Sequence, residues 1–222
     1  MSADALLVEL EQLGSEKTRA TLYRHGVTGE RFGVSYADFG KLKKRIKVDH
    51  AVATGLWSSG NHDARILATM IGDPKQATEA ELDAWAAGVD NHVQGDALAG
   101  FAVLTPHAVG CMERWMKSDH EWTEAAGWVL LARVALSGAQ SDDWFVPFVE
   151  TIERDIHGAK NRVRHAMNGA LIAIGTRSDG LEALAIAAAR RIGKVVVDHG
   201  DTDCVTPAAE PYILKTRARK KR

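Results

Sequence analysis

The feature that most constrains this chain is a succession of amphipathic helices in pairs, joined by short links, whose second members open alike. Asn61-His-Asp-Ala-Arg, Asp119-His-Glu-Trp-Thr and Lys160-Asn-Arg-Val-Arg each start such a helix. The last two lie about forty residues apart, the unit size of HEAT-type repeats. One pair cannot bury its apolar side alone, whereas stacked pairs share a continuous core and leave a concave face lined by the second helices. No set of alternating strands competes with this pattern. The expectation is an all-α chain: an α-solenoid of HEAT-like repeats over 1–194, then a short irregular basic extension over 195–222.

The local signals agree. Leu6, Leu7, Leu10 and Leu13 share one side of a helix that Gly14 stops. Ser35 caps a helix over Tyr36–Ile46, with Phe39, Leu42 and Ile46 inward and Lys41, Lys43, Lys44, Arg45 and Lys47 around it. Asn61 caps the next long helix, Asp73-Pro74 ends it, and Thr78-Glu-Ala-Glu81 reads as a capping box. Later helices are expected from Thr105-Pro106 to about Lys117, over Glu121–Leu136 with Asp119 as cap, from Ser141 through Pro147, and over 159–174 and 178–192.

Charge is uneven. Residues 156–222 carry 13 Lys and Arg against 6 Asp and Glu, while residues 1–155 carry 15 against 23. A basic C-terminal third points to a polyanionic partner. Two distant cysteines fit a reducing compartment. Met1–Leu13 is acidic and amphipathic, unlike a signal peptide, and no apolar run is long enough to span a bilayer. A soluble, cytoplasmic monomer is expected. Neither a glycine-rich phosphate loop nor a Ser-His-Asp set nor a nucleotide fingerprint is present, so no cofactor is expected. The spacing of His199 and Cys204 among Asp198, Asp201 and Asp203 matches no zinc pattern, so no metal is expected either.

Residues 84–98 form the central candidate site. They read as a helix end, a turn at Gly88–Asn91 and a second helix capped by Asp90 or Asn91. His92 and Asp96, four apart, share a face of that helix, while Leu98, Phe101, Ala102 and Leu104 supply its buried side. Spacing alone favours an ordinary solvated polar face. Arg162, Arg164 and His165 open a late helix whose start could hold phosphate. Trp122 either adds an aromatic face or belongs to the core. Lys215, Arg217, Arg219 and Lys220, in the Lys215–Arg222 tail, are candidates for salt-sensitive attraction to DNA.

From about residue 20 to about 192, the chain resembles the DNA alkylation repair proteins of the AlkD type, HEAT-like-repeat DNA glycosylases. The resemblance rests on Phe32-Gly33-Val34, Leu56-Trp57, His62-Asp63-Ala64-Arg65, the stretch Val89–Leu98 and Arg164-His165-Ala166-Met167. It implies excision of N3- and N7-alkylated purines from duplex DNA. An N-alkylated purine is already a cationic leaving group, and a fixed carboxylate and aromatic faces stabilise the positive charge that develops on the sugar. On this basis Asp96 is the expected catalytic acid. The match is partial. His92 stands where the family has a Trp. Trp122-Thr123-Glu124-Ala125 stands where a phosphate-holding Arg is expected. Asn168-Gly169 stands where a second Trp falls. The leading expectation is an alkylpurine glycosylase using Asp96 and His92. The alternative is a non-catalytic HEAT-repeat protein that binds DNA or serves as a protein-interaction scaffold.

Overall fold

Helix caps set the order of elements. In the computed structural model, which describes residues 2–220, thirteen α-helices follow one another and no strand occurs among the described residues. By contacts they group into two units, residues up to 107 with Gly200–Thr202, and residues 108–199 with those from Asp203 onward.

The first unit holds α1 (Ala3–Leu13), α2 (Glu16–Arg24), α3 (Tyr36–Ile46), α4 (His50–Ser58), α5 (His62–Ile71), α6 (Glu79–Ala87) and α7 (His92–Ala102). Ser2, Ser15, Ser35, Asp49, Asn61, Thr78 and Asn91 cap these seven in turn, each accepting a backbone N–H from the first turn. Such a cap stabilises a helix by about 1 kcal/mol. Helix α5 is the central member, packing against α1, α3, α4 and α7. Its Ile66, Leu67 and Ile71 are fully buried with Leu6, Leu10, Leu56 and Leu98. Trp57 and Trp85 stack with ring centroids 4.6 Å apart, and Phe101 lies 5.6 Å from Trp85. Of the four residues expected on the buried side of α7, Leu104 departs. The helix ends at Ala102, so Leu104 falls in the following turn and is 68% exposed.

The second unit holds α8 (Ala108–Trp115), α9 (Glu121–Ser137), α10 (Val146–Asp155), α11 (Asn161–Gly175), α12 (Asp179–Ile192) and α13 (Ala209–Lys220). Helices α9 and α11 are its packed centre, flanked by α8 on one side and α12 and α13 on the other. Gly127 lets α8 approach α9, since a Cβ there would lie 2.6 Å from the Met116 backbone nitrogen. Pro147 sits in the first turn of α10, where its missing N–H costs nothing. Asp119 does not cap α9. The helix starts two residues later, with His120 at the cap position, and His120 Nδ1 lies 3.0 Å from Thr123 Oγ1.

The expected irregular extension is irregular only to residue 208. From Ala209 the chain is helical, because α13 has a hydrophobic anchor: Ile213 is fully buried against Gly175 and packs where a larger residue would collide. Lys221 and Arg222, the end of the basic tail, lie outside the described residues. No helix among those described is long and apolar enough to cross a membrane.

Candidate nucleic-acid interface

In the first unit, the start of α5 positions everything around it. Asn61 caps the helix, its Oδ1 accepting from Asp63 N at 2.9 Å. Asp63, 1% exposed, accepts three backbone N–H groups of the preceding loop: Phe32 at 2.7 Å, Gly33 at 3.0 Å and Val34 at 2.8 Å. A buried carboxylate is stable only with this kind of compensation. Gly33 is required in the loop. Its φ is +81°, and a Cβ would come within 2.7 Å of Ser15 O and Arg19 Cγ. The loop leads directly into Ser35, the cap of α3, and Tyr36, its first residue.

The same turn of α5 fixes α7. His62 is buried, and burial pushes its pKa below the ordinary histidine value, so the ring is neutral. Its Nδ1 lies 3.3 Å from Asn91 Nδ2, and Asn91 caps α7 by accepting Gln94 N at 3.1 Å. Arg65 donates to Gly88 O at 2.6 Å and to Gln94 Oε1 at 3.3 Å, with Asp90 3.7 Å away and its guanidinium 5.4 Å from the Trp57 ring centre. Burial lowers the Arg65 pKa, against the opposing pull of Asp90.

On the α7 so placed, His92 is half-buried and Asp96 is exposed. Another exposed residue of this unit was missed by sequence reasoning. Tyr36 is 65% exposed, with one ring edge against buried Phe39 at 5.8 Å. Partial burial, then the negative charges of Asp96 and Asp63, raise the pKa of its hydroxyl. The available signal was the helical period. Tyr36, Gly40, Lys43 and Lys44 recur along one flank of α3, beside the inward stripe of Phe39, Leu42 and Ile46, Lys47 follows at the C-cap, and all five are exposed.

The second unit treats its predicted residues differently. Trp122 is half-buried rather than core. Glu124 is bonded to Lys160 at 2.7 Å, tying the starts of α9 and α11 together. The Arg162 N–H, expected to be open to an anion, donates to Glu121 Oε1 at 2.7 Å. Residues 196–199 and 203–207 of this unit form a strap along α11. Arg164 donates to Val196 O at 2.9 Å, Asn161 exchanges two bonds with the Asp198 backbone at 2.7 and 2.8 Å, and Asn168 donates to Pro207 O at 2.9 Å. His165 and His199 both meet Thr206 Oγ1, at 3.1 and 2.9 Å. Burial, then the charges of Arg162 and His199, push the His165 pKa down to about 4. Of the tail cations, Arg217 is held by Glu182 at 2.8 Å and by Asp179, and Lys220 donates to Thr176 O at 3.2 Å. Lys215 and Arg219 are exposed. No three His, Cys, Asp or Glu side chains converge on a metal-holding group among the described residues.

Residues 6–202 match the family described as DNA alkylation repair enzyme. An uncharacterized protein of Listeria innocua is 27% identical over 223 residues, covering 97% of both chains. One of Listeria monocytogenes is 28% identical over 225 residues, covering 98% of both. A solved structure superimposes with a TM-score of 0.87 at 27% identity, covering 99% of this chain and 95% of the other. It is described as "a new family of proteins related to the HEAT-like repeat DNA glycosylases with affinity for branched DNA structures". The all-α HEAT-like repeat fold is thereby shared over nearly the full length.

Proposed function

We propose that this chain, which belongs to the DNA alkylation repair enzyme family, is a DNA-binding protein that engages branched DNA in preference to uninterrupted duplex. One observation carries this reading. The stretch where the resemblance calls for a phosphate-holding arginine is Trp122-Thr123-Glu124-Ala125, and its Glu124 carboxylate is bonded to Lys160 at 2.7 Å. The stretch carries no cation of its own to grip the duplex backbone. The position of the second aromatic is Gly169, exposed and open. What remains is an exposed basic and aromatic face on α3, and the solved relative has affinity for branched DNA. Equilibrium binding to a three-way junction and to a linear duplex of the same arm sequence, at one salt concentration, tests the reading.

A second reading keeps the chemistry, and Asp96 favours it. This carboxylate is exposed on a helix start held rigidly by Asn91, His62 and Arg65. Fixed negative charge beside a sugar that turns cationic lowers the barrier to loss of an already cationic alkylpurine. Release of 3-methyladenine or 7-methylguanine from methylated duplex, read by mass spectrometry and lost in Asp96→Asn, would establish it.

A further inference from the structure

Four residues on one face of helix α3, with Lys47 at its C-cap, form a stripe of unequal ends. Tyr36 stands at the N-terminal end. Gly40 follows one turn on, where a Cβ would meet no atom within 4 Å, so the backbone there is bare and approachable. Lys43, Lys44 and Lys47 occupy the other end. The remaining cations of the helix are spoken for, Lys41 by Asp38 at 2.8 Å and Arg45 by Glu9 at 2.6 Å. The three stripe lysines have no ion-pair partner among the described residues. From Tyr36 to Lys47 the stripe runs about 16 Å at 1.5 Å per residue.

The polarity is chemical as well as geometric. The Tyr36 end carries an exposed ring and no cation, which suits an uncharged base face. Phe39 braces one ring edge, so the ring is presented with little freedom left to lose. Lys47 adds a further sign. It is the only non-glycine described residue with a positive φ, +67°, where a glycine would sit without strain. A side chain held at a strained position points to use.

We infer that this face of α3 holds an unpaired DNA strand, with a base stacked on Tyr36 and the following phosphates on Lys43, Lys44 and Lys47. An aromatic platform continued by a cationic track is the arrangement that single strands take, because a base offers its π-face only when it is out of the duplex. The inference rests on the DNA-binding reading above and names where the unpaired strand of a branch runs.

The test is fluorescence anisotropy with two labelled probes, a forked duplex bearing unpaired thymidine arms and the same duplex without arms. Tyr36→Ala weakens fork binding about tenfold and leaves blunt-duplex binding within twofold, and Tyr36→Phe behaves as wild type. Replacing Lys43, Lys44 and Lys47 together by Gln lowers the slope of log affinity against log salt on the fork by about 2, at about 0.7 per phosphate. The same change at exposed Lys17 and Lys75 leaves it unaltered. A fork preference in wild type that survives Tyr36→Ala overturns this inference and leaves the DNA-binding reading standing. Equal losses on both probes assign the face to duplex and also overturn it. Failure of wild type to bind either probe removes both.

Discussion

Asp63 on α5 accepts the backbone N–H of Val34 at 2.8 Å, and this bond, with those to Phe32 and Gly33, decides where α3 begins. One buried carboxylate thus sets the direction of Tyr36, while its neighbours His62 and Arg65 set α7 and with it Asp96. Asp63→Ala leaves three N–H groups without their acceptor, two of them in buried residues. The expected loss is about 3 kcal/mol or more of unfolding free energy in urea. Asp63→Asn retains one oxygen and falls between.

Lys47→Gly relieves the positive φ at the end of α3. The variant gains about 1 kcal/mol of stability, read as a higher urea midpoint. It also loses one cation from the stripe, so DNA affinity falls while stability rises. A surface lysine with no role would show the first change without the second.

Gly175→Val tests whether α13 is an integral part of the second unit. A Cβ at Gly175 would lie 2.7 Å from Ile213 Cδ1 and 2.8 Å from Ala185 Cβ. The helix must shift to admit it, at a cost of about 1–3 kcal/mol. Limited proteolysis should cut within 209–220 in the variant sooner than in wild type.

Much of this fold was legible in the sequence because the signals were local. Ser35, Asn61 and Thr78 cap the helices they were expected to cap, and Pro147 lies in a first turn. Asp119 and Leu104 misled because each lies just beyond a helix end, where a shift of one or two residues changes its role. The helical tail was hidden because its stability comes from one distant contact, Ile213 on Gly175, which no local pattern reveals. The candidate site was half legible. His92 and Asp96 share a face by spacing, but Tyr36 is positioned through the Asp63 anchor, across 27 residues of chain.

Acid should loosen the strap over α11. His165 has its pKa held at about 4, below the ordinary 6.5, so the unfolded chain takes up its proton first as pH falls. Its contribution to stability is complete above pH 6.5 and declines from there toward pH 4. Between pH 7 and pH 5 wild type should lose about 1 kcal/mol more than His165→Gln, after discounting for partial solvent screening. His62, also lowered, acts in the same direction but is common to both proteins.

Aromatic replacements probe the second functional reading. Gly169 is exposed in mid-helix with open space at its Cβ, so Gly169→Ala gains about 0.5–1 kcal/mol. His92→Trp supplies a missing cation-facing surface on the helix face that carries Asp96. If Asp96 is a working acid, base release from methylated duplex should rise about tenfold in this variant, and Asp96→Asn should abolish the gain.

The most direct measurement is the dissociation constant of the wild-type protein for a three-way DNA junction and for a linear duplex of matching arms, taken in the same buffer at about 0.1 M salt. The account predicts binding to the junction at least tenfold tighter than to the duplex. Equal affinity for the two, or tighter binding to the duplex, would contradict it.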